Sequence, residues 1–178
     1  VVILLAHPNI KESQANKALV DAVSDMEGVA VFNLYELSQE IAFNVDEWSK
    51  IISDASAVIY QFPFYWMSAP SLLKKWQDEV FTFLSKTPAV AGKSLTVVTT
   101  TGSEYEAYRS GGRNRFTMDE LLRPYQVSAI HSGMSWQTPI VVYGMGTADA
   151  GKNIAEGANL YKQRVEMLIG SSNAGNNW

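Results

Sequence analysis

Three loops of this 178-residue sequence carry side chains suited to binding a small molecule. The first loop covers residues 7–12, beginning with His7, and leads into a helix that Ser13 can cap. Free N–H groups and the helix dipole favour an anion at such a terminus. Neither the Walker pattern nor the dinucleotide glycine fingerprint occurs here, which excludes the usual nucleotide-binding loops. Ser13 and Asn16 are therefore predicted to add side-chain donors around a phosphate. The alternative is that Ser13 is an ordinary helix cap and His7 a plain loop residue.

The second loop places bulky side chains in a row, from Phe64 through Tyr65 and Trp66 to Met67. Four such neighbours cannot all point into one core, so we expect some of them to be exposed. Exposed aromatic side chains favour a flat heteroaromatic ring as the ligand, with backbone N–H groups at its polar edge. The alternative is local packing beneath the helix that follows.

The third loop begins at Thr99 and supplies hydroxyl and N–H donors as far as Tyr108. A glycine-rich, basic stretch at residues 110–115 follows it. Turn chemistry alone would explain the glycines, and a solvated loop alone would explain the arginines. These alternatives stay open on the residues alone.

Short apolar runs precede the three loops and predict strands that are buried on both faces. The runs cover residues 1–6, 57–62 and 95–100, with shorter versions at 29–34 and 139–143. Helical patterns lie between and after them, at residues 13–28, 46–53, 70–84, 117–132 and 149–169. This alternation predicts an α/β fold with a doubly wound, five-stranded parallel sheet and helices on both faces. In such sheets ligands bind beyond the carboxyl ends of the strands, where the three loops lie.

Composition excludes several functional classes. The absence of cysteine rules out a disulfide scaffold, a Cys-ligated metal site and a thiol nucleophile. Fourteen basic and eighteen acidic side chains give a net charge of -4, and no block of Lys and Arg offers a nucleic-acid footprint. No apolar run approaches the roughly 20 residues of a membrane span, and no basic segment of a signal peptide is present. We expect a cytoplasmic protein without a nucleic-acid partner, a membrane span or a metal site.

The domain organisation is predicted to be simple. No linker or internal repeat divides the sequence, so residues 1–169 are expected to form one domain. Residues 170–178 are rich in Ser, Asn and Gly and are expected to form a frayed tail.

Four motifs within residues 1–144 carry a resemblance to a known family. They are Ala6-His7-Pro8 with Ser13 and Asn16, the stretch from Gln61 through Trp66 to Asp78, the Thr99–Gly102 turn, and Asn114 to Pro124. With them the sequence resembles the flavodoxin-like NAD(P)H:quinone oxidoreductases. The likeness is to the short bacterial branch, with general stress protein 14-type enzymes and ancillary flavoproteins of glutathione-gated potassium efflux systems.

The resemblance implies a flavodoxin-like fold in which residues 1–169 form one flavin-binding domain. It also implies ping-pong hydride transfer from NAD(P)H through the bound flavin to a quinone or another small planar acceptor. Because little chain follows residue 144, FMN is the expected flavin, with FAD as the alternative. Tyr108 matches a tyrosine that assists hydride transfer in relatives, and Asn114 stands near the place of their histidine. The residues implied to bind the flavin are His7, Ser13, Gln14, Ala15 and Asn16 at the phosphate, Phe64, Tyr65, Trp66 and Met67 along the isoalloxazine ring, and Thr99, Thr100, Thr101 and Gly102 at its polar edge.

The family also implies a homodimer, and Trp76, Phe81 and Phe83 are expected to contribute to a symmetric contact. An alternative function is a regulatory subunit that docks on a potassium efflux antiporter at the inner membrane. A one-electron carrier is a third possibility, although such carriers tend to be more acidic than a net charge of -4.

Overall fold

A single parallel sheet forms the centre of the protein, which a computed structural model describes over residues 1–37 and 42–174. Its strands are β1 (Val2–Leu5), β2 (Ala30–Asn33), β3 (Ala57–Pro63), β4 (Ser94–Thr100), β5 (Ser135–Trp136) and β6 (Ile140–Val142). β2 lies at one edge and is followed by β1, β3 and β4, with β5 and β6 both pairing with β4 at the other edge. The flavodoxin-like doubly wound sheet predicted from the sequence is confirmed.

The fifth predicted strand, at residues 139–143, is one part of an interrupted edge. β5 pairs with the start of β4 and β6 pairs with its end, so the two segments extend the sheet in the same position. Pro139 lies in the break, where it has no N–H to donate to a strand ladder.

Helices cover both faces of the sheet. They are α1 (Gln14–Asp21), α2 (Leu34–Leu37), α3 (Val45–Asp54), α4 (Ser71–Trp76), α5 (Thr82–Leu84), α6 (Met118–Leu121), α7 (Arg123–His131) and α8 (Ala150–Ala174). A π-helical stretch, Gln77–Phe81, joins α4 to α5, and 3-10 turns occur at Ile10–Glu12 and Tyr105–Tyr108. No helix in the described part of the chain is long and apolar enough to cross a membrane.

Four predicted helices differ from the sequence expectation. The first ends at Asp21 instead of continuing to Gly28, and the one predicted at residues 70–84 is interrupted by the π-helical stretch. The segment predicted at residues 117–132 is divided into α6 and α7, because Pro124 occupies the first turn of α7, where its missing N–H is tolerated. α6 begins with the predicted capping box between Thr117 and Glu120. The last helix continues through Ala174 instead of ending at Ile169, and residues 175–178 of the predicted tail lie outside the described residues.

Alternating side chains of the strands build two apolar layers. Leu4 and Tyr60 point into the layer that also contains side chains of α3, α4 and α7. Ile3 and Ile59 point into the opposite layer, which α1 and α8 cover. This arrangement leaves the loops at the carboxyl ends of the strands as the open surface where a ligand can bind.

Two residues that we expected in a subunit contact are instead in the core. Trp76 is 1% exposed, and its ring meets those of Trp48 and Tyr60 edge to face at 5.4 and 6.1 Å. Phe81 is also buried. The prediction for Trp76 and Phe81 is therefore wrong, whereas Phe83 does lie on the surface.

Candidate functional site

A cleft of about 280 Å³ lies at the carboxyl ends of β1, β3 and β4. Loops distant in the sequence meet there because the parallel strands all end at this edge of the sheet. Most of the residues predicted to bind a ligand line it, namely His7, Ser13, Gln14, Ala15, Asn16, Phe64, Tyr65, Thr100, Thr101 and Gly102.

The N-terminus of α1 forms one side of the cleft. The Oγ atom of Ser13 accepts a hydrogen bond from the backbone N–H of Asn16 at 3.1 Å, so Ser13 is a helix cap. The N–H groups of Gln14 and Ala15 belong to the first turn, where a helix provides no acceptors of its own. These groups and the helix dipole make this side of the cleft suited to an anion.

Asn16 connects the helix to the sheet. Its side chain is 1% exposed, and its Nδ2 donates to Oγ1 of Thr100 at 3.0 Å. Nε2 of Gln61 donates to the backbone oxygen of Asn16 at 2.8 Å. The other polar atom of the Asn16 side chain, the amide oxygen Oδ1, is buried and has no hydrogen-bond partner among the described residues. Since burying an unpaired acceptor is unfavourable, this atom is suited to a donor from a bound ligand.

His7 borders the same cleft in its neutral form. Its Nδ1 accepts a hydrogen bond from the backbone N–H of Asn9 at 3.1 Å, which leaves the ring proton on Nε2. Burial lowers the pKa of His7 below its ordinary value. His7 therefore offers one neutral N–H donor at neutral pH.

The aromatic loop after β3 divides into a buried and an exposed part. Phe64 is buried and Tyr65 is half exposed, and both line the cleft. Trp66 and Met67 form the tip of a tight turn, in which Tyr65 and Ser68 exchange two backbone hydrogen bonds of 2.9 and 3.0 Å. The φ angles of Trp66 and Met67 are 47° and 63°, a left-handed conformation that is strained for such side chains. Trp66 is 97% exposed, and neither tip residue lines the cleft.

The turn after β4 forms the opposite side of the cleft. Thr101 is held by its N–H, which donates to the oxygen of Val142 at 2.9 Å, and by its Oγ1, which donates to the oxygen of Ser103 at 2.7 Å. Thr99 lies one step earlier on the strand, and its Oγ1 donates to the oxygen of Phe62 at 2.8 Å. The Thr99 side chain thus supports β3 and does not line the cleft.

Tyr108 and Asn114 lie close to each other behind this turn. Burial raises the pKa of the Tyr108 phenol, and the side chains of Ser103 and Asn114 and the charge of Arg113 partly oppose that rise. The N–H of Asn114 donates to the oxygen of Ala107 at 3.0 Å, which holds the loop closed. Tyr108 does not line the cleft itself but contributes to a second cavity of about 680 Å³.

The last loop of the sheet contributes residues that the sequence analysis missed. Met145, Ala150 and Ile154 line the cleft. The N–H of Met145 donates to the oxygen of Thr101 at 2.9 Å, so the loop after β6 pairs with the turn after β4. The rule that ligands bind beyond the carboxyl ends of parallel strands, which we call the strand-end rule, would have selected this loop as well if applied to the last predicted strand. Within the described part of the chain, no three acidic or histidine side chains form a metal site.

Comparison with curated proteins identifies relatives of nearly the same length. The chain is 35% identical to General stress protein 14 of Bacillus subtilis (strain 168) over 171 residues, or 94% of this chain and 97% of that protein. It is also 35% identical to the NAD(P)H oxidoreductase YdeQ of the same organism, over 94% of this chain and 86% of that protein. The potassium-efflux ancillary protein KefG of Serratia proteamaculans (strain 568) is 35% identical over 147 residues, covering 80% of each chain.

Solved structures extend the comparison. General stress protein 14 of Treponema denticola, in complex with FMN, is 30% identical with a TM-score of 0.84 over 94% of this chain and 98% of that one. An NADPH-quinone reductase of P. pentosaceus is 28% identical with a TM-score of 0.77, over 92% and 95%. A structure described as a thermophilic tryptophan halogenase of Streptomycin violaceusniger is 35% identical with a TM-score of 0.85, over 93% and 98%.

A protein-family model described as the flavodoxin-like fold matches residues 1–165. This match covers most of the chain, and the two Bacillus subtilis relatives with 35% identity each align with 94% of it. The chain therefore belongs to the flavodoxin-like oxidoreductase family that includes General stress protein 14.

Proposed function

We propose that the protein is an FMN-dependent NAD(P)H oxidoreductase that passes a hydride to a quinone or a similar small planar acceptor. The observation that carries this proposal is a cleft where a capped helix terminus meets aromatic side chains and Asn16, whose buried Oδ1 has no hydrogen-bond partner among the described residues. The FMN complex of the Treponema relative and the activities named for YdeQ and the P. pentosaceus reductase support it.

The residues of the cleft fit the parts of FMN. The N–H groups at the start of α1 and the side chain of Ser13 would hold the phosphate, and the neutral Nε2–H of His7 would add a donor. Asn16 Oδ1 would accept a hydrogen bond from a ribityl hydroxyl group. Phe64 and Tyr65 would contact the ring. FMN is preferred over FAD because the relative from Treponema binds FMN.

The protein supplies orientation and electrostatics for the reaction. When bound, FMN supplies a ring that accepts a hydride and later gives it up. The phenol of Tyr108 keeps its proton on Oη at neutral pH, since burial raises its pKa, and Oη lies beside the Thr101–Ser103 turn. We propose that Tyr108 stabilises negative charge at the polar edge of the ring through this turn, and that Asn114 orients the phenol.

A homodimer is part of the proposal. Trp66 is 97% exposed at a strained turn, and such strain persists where it serves a function. We propose that Trp66 and Met67 cover the acceptor site in the assembled dimer, which would explain why they do not line the cleft of one chain. Light scattering that gives a monomer mass at micromolar concentration would contradict this part.

Flavin retention tests the central proposal. Purified protein is mixed with excess FMN or FAD and desalted, and the absorbance and mass of the retained flavin are measured. We expect FMN to be retained, NAD(P)H to bleach it and a quinone to restore the absorbance. Asn16→Ala should weaken FMN binding, whereas Asn159→Ala, an exposed position on α8 away from the cleft, should not. Retention of neither flavin would refute the proposal.

A second candidate function is regulation of a glutathione-regulated potassium efflux system, as an ancillary subunit in the cytoplasm or at the inner membrane. The 35% identity to KefG over 80% of both chains supports it. This function predicts FMN retention with negligible quinone turnover, together with increased potassium flux when the protein is added to vesicles that contain the efflux antiporter. Rapid quinone turnover without an effect on flux would favour the enzyme.

A further inference from the structure

The structure contains a second cavity that the proposed flavin site does not use. It has a volume of about 680 Å³ and lies between the loop after β4, the strand β6 and the helix α8. This size is within the range of small-molecule sites. None of its lining residues lines the flavin cleft. We call it the tyrosine cavity, after Tyr105, Tyr108 and Tyr143.

We propose that the tyrosine cavity is a binding site for a flat aromatic molecule that carries a phosphate or carboxylate group. The proposal goes beyond the oxidoreductase function and does not depend on it.

The tyrosine rings give the cavity a wall for a flat molecule. Tyr105 and Tyr143 meet edge to face with centroids 5.3 Å apart, and Tyr108 and Tyr143 are tilted at 5.9 Å. Despite these contacts Tyr105 is 49% exposed. Leu160 and Met167 of α8 also line the cavity and are mostly exposed, so an apolar surface faces solvent there. Aromatic and apolar surface of this kind favours a ring as ligand.

Two arginines give the cavity an excess of positive charge. Arg109 lies with its Cζ 5.4 Å from the centroid of the Tyr105 ring, and Arg164 is fixed by a 2.7 Å hydrogen bond from its Nη1 to the oxygen of Thr138. Neither arginine forms an ion pair with any described residue, and Asp119 is the one acidic side chain among the described residues that line the cavity.

These charges point to an anionic ligand. A guanidinium group binds phosphate or carboxylate through paired N–H donors, and next to an aromatic ring it also supports stacking. Burial, with smaller contributions from Tyr105 and Asp119, raises the pKa of Tyr143 to about 12, so this phenol stays neutral and does not repel an anion.

The tyrosine cavity also touches the flavin site through one side chain. Tyr108 lines the cavity and packs edge to face against Phe64, which lines the cleft. A ligand in the tyrosine cavity would therefore contact Tyr108, and Tyr108 in turn packs against Phe64 in the wall of the cleft. Binding there should change the flavin absorbance spectrum without releasing the flavin.

Calorimetric titration of the protein, both saturated with FMN and free of flavin, tests the proposal independently of flavin binding. AMP and naphthoate serve as probes with a phosphate and a carboxylate, adenosine provides a ring without an anion, and inorganic phosphate provides an anion without a ring. We expect saturable binding of AMP, naphthoate or both, at one per chain, and binding of adenosine and of inorganic phosphate weaker by about tenfold or more.

Variants locate the binding. Arg109→Gln and Arg164→Gln should each weaken the binding of the anionic probe by about tenfold, and Arg164→Lys by less. Arg123→Gln, an exposed arginine on α7 outside the cavity, is the matched control and should bind like the wild type. Circular dichroism checks that each variant is folded. If Arg164→Gln does not fold because the hydrogen bond from Arg164 to Thr138 is lost, the binding measured for Arg109→Gln still decides the test.

Three results would overturn the proposal. The first is no binding of either anionic probe, which would also be the result if a second copy of the chain filled the cavity. The second is binding unchanged in both arginine-to-glutamine variants. The third is release of FMN by the probe, since that would place the binding in the flavin cleft.

Discussion

The rings of Phe64 and Tyr108 meet edge to face, with centroids 6.1 Å apart and planes at 77°. Phe64 belongs to the loop after β3 and Tyr108 to the loop after β4, so this pair fixes the spacing of two loops at the proposed flavin site. Edge-to-face pairs contribute about 0.5–1.5 kcal/mol beyond the area they bury. The hydroxyl of Tyr108 is not part of this contact, and its role can therefore be tested separately.

Tyr108→Phe should keep the ring packing and lose the hydroxyl. We expect reduction of bound FMN by NAD(P)H to slow by about tenfold, which corresponds to about 1.4 kcal/mol in the transition state, with FMN affinity almost unchanged. Because burial raises the pKa of Tyr108, its proton is present throughout, and the ratio of the two rates should be constant between about pH 6 and 8. Stopped-flow absorbance measures the rate.

Tyr161→Phe is the matched control for this change. The Tyr161 hydroxyl is also buried, but it lies in the opposite layer of the fold and has no hydrogen-bond partner among the described residues. We expect FMN reduction at the wild-type rate and a free energy of unfolding higher by about 1 kcal/mol, since an unpaired buried group is removed. If Tyr108→Phe also reacts at the wild-type rate, Tyr108 only packs against Phe64.

Ser13 is predicted to act both as a helix cap and as a ligand of the phosphate, and two variants separate these roles. Ser13→Ala should lower the free energy of unfolding of the flavin-free protein by about 1 kcal/mol, and Ser13→Gly by only a few tenths. Both should weaken FMN binding by about tenfold, because both lose the Oγ donor. Denaturant titration and fluorescence titration with FMN measure the two effects. Wild-type FMN affinity in Ser13→Gly would show that Ser13 is a cap alone.

The strand-end rule located the cleft from the sequence, but the direction of individual side chains needed the structure. Residues Thr99 and Thr100 are neighbours on β4, and strand alternation turns one towards β3 and the other towards Asn16. A shift of one residue in the assumed strand end exchanges the directions of these two side chains. The sequence pattern does not locate a strand end to within one residue.

The helix that carries Trp76 and Phe81 shows a different limit. Its pattern predicted a regular helix from residue 70, whereas the structure inserts the π-helical stretch Gln77–Phe81. A π turn takes up more residues than an α turn and rotates the side chains that follow. The face of Phe81 could therefore not be assigned from 3.6-residue periodicity. Met145 was missed for another reason: the strand before it was predicted at residues 139–143, but only the loops after the three longer apolar runs were considered as ligand sites.

The strained turn at Trp66 and Met67 should lower the free energy of unfolding and at the same time be required for quinone turnover. Two-residue turns with positive φ at both positions favour Asn followed by Gly. The double variant Trp66→Asn, Met67→Gly should raise the free energy of unfolding by about 1–3 kcal/mol, because each left-handed side chain costs about 1–2 kcal/mol. Quinone turnover should decrease.

Trp66→Ala is the control for that variant, since it removes the aromatic side chain and retains the strained turn. We expect turnover to fall as in the double variant while the free energy of unfolding does not rise. Thermal denaturation and steady-state turnover measure both quantities. If the double variant is no more stable than the wild type, the turn is not strained.

Gly112 should be required for the position of Asn114. A Cβ atom at residue 112 would overlap the backbone oxygen of Glu106 and lie 2.9 Å from that of Ala107, which accepts the N–H of Asn114. Gly112→Ala should shift this loop, lower the free energy of unfolding by about 1–3 kcal/mol and slow FMN reduction. Gly151→Ala in α8, where nothing lies within 4 Å, should instead be neutral or stabilising by up to about 1 kcal/mol. Similar stability of the two variants would show that the loop tolerates a side chain at residue 112.

His7 should make the stability of the flavin-free protein depend on pH. Burial lowers the pKa of His7 in the folded state. Below about pH 6.5, therefore, His7 binds a proton in the unfolded chain more readily than in the folded chain. The free energy of unfolding therefore falls as the pH decreases from about 6.5 towards the lowered pKa, with a slope from this one group of at most about 1.4 kcal/mol per pH unit. His7→Asn should remove this component, whereas His131→Asn, at an exposed position of α7, should retain it. Urea denaturation of the three proteins between about pH 5 and 8 measures it. If the wild-type and His7→Asn curves run parallel over that range, His7 is protonated equally easily in both states and is not the neutral donor that the cleft requires.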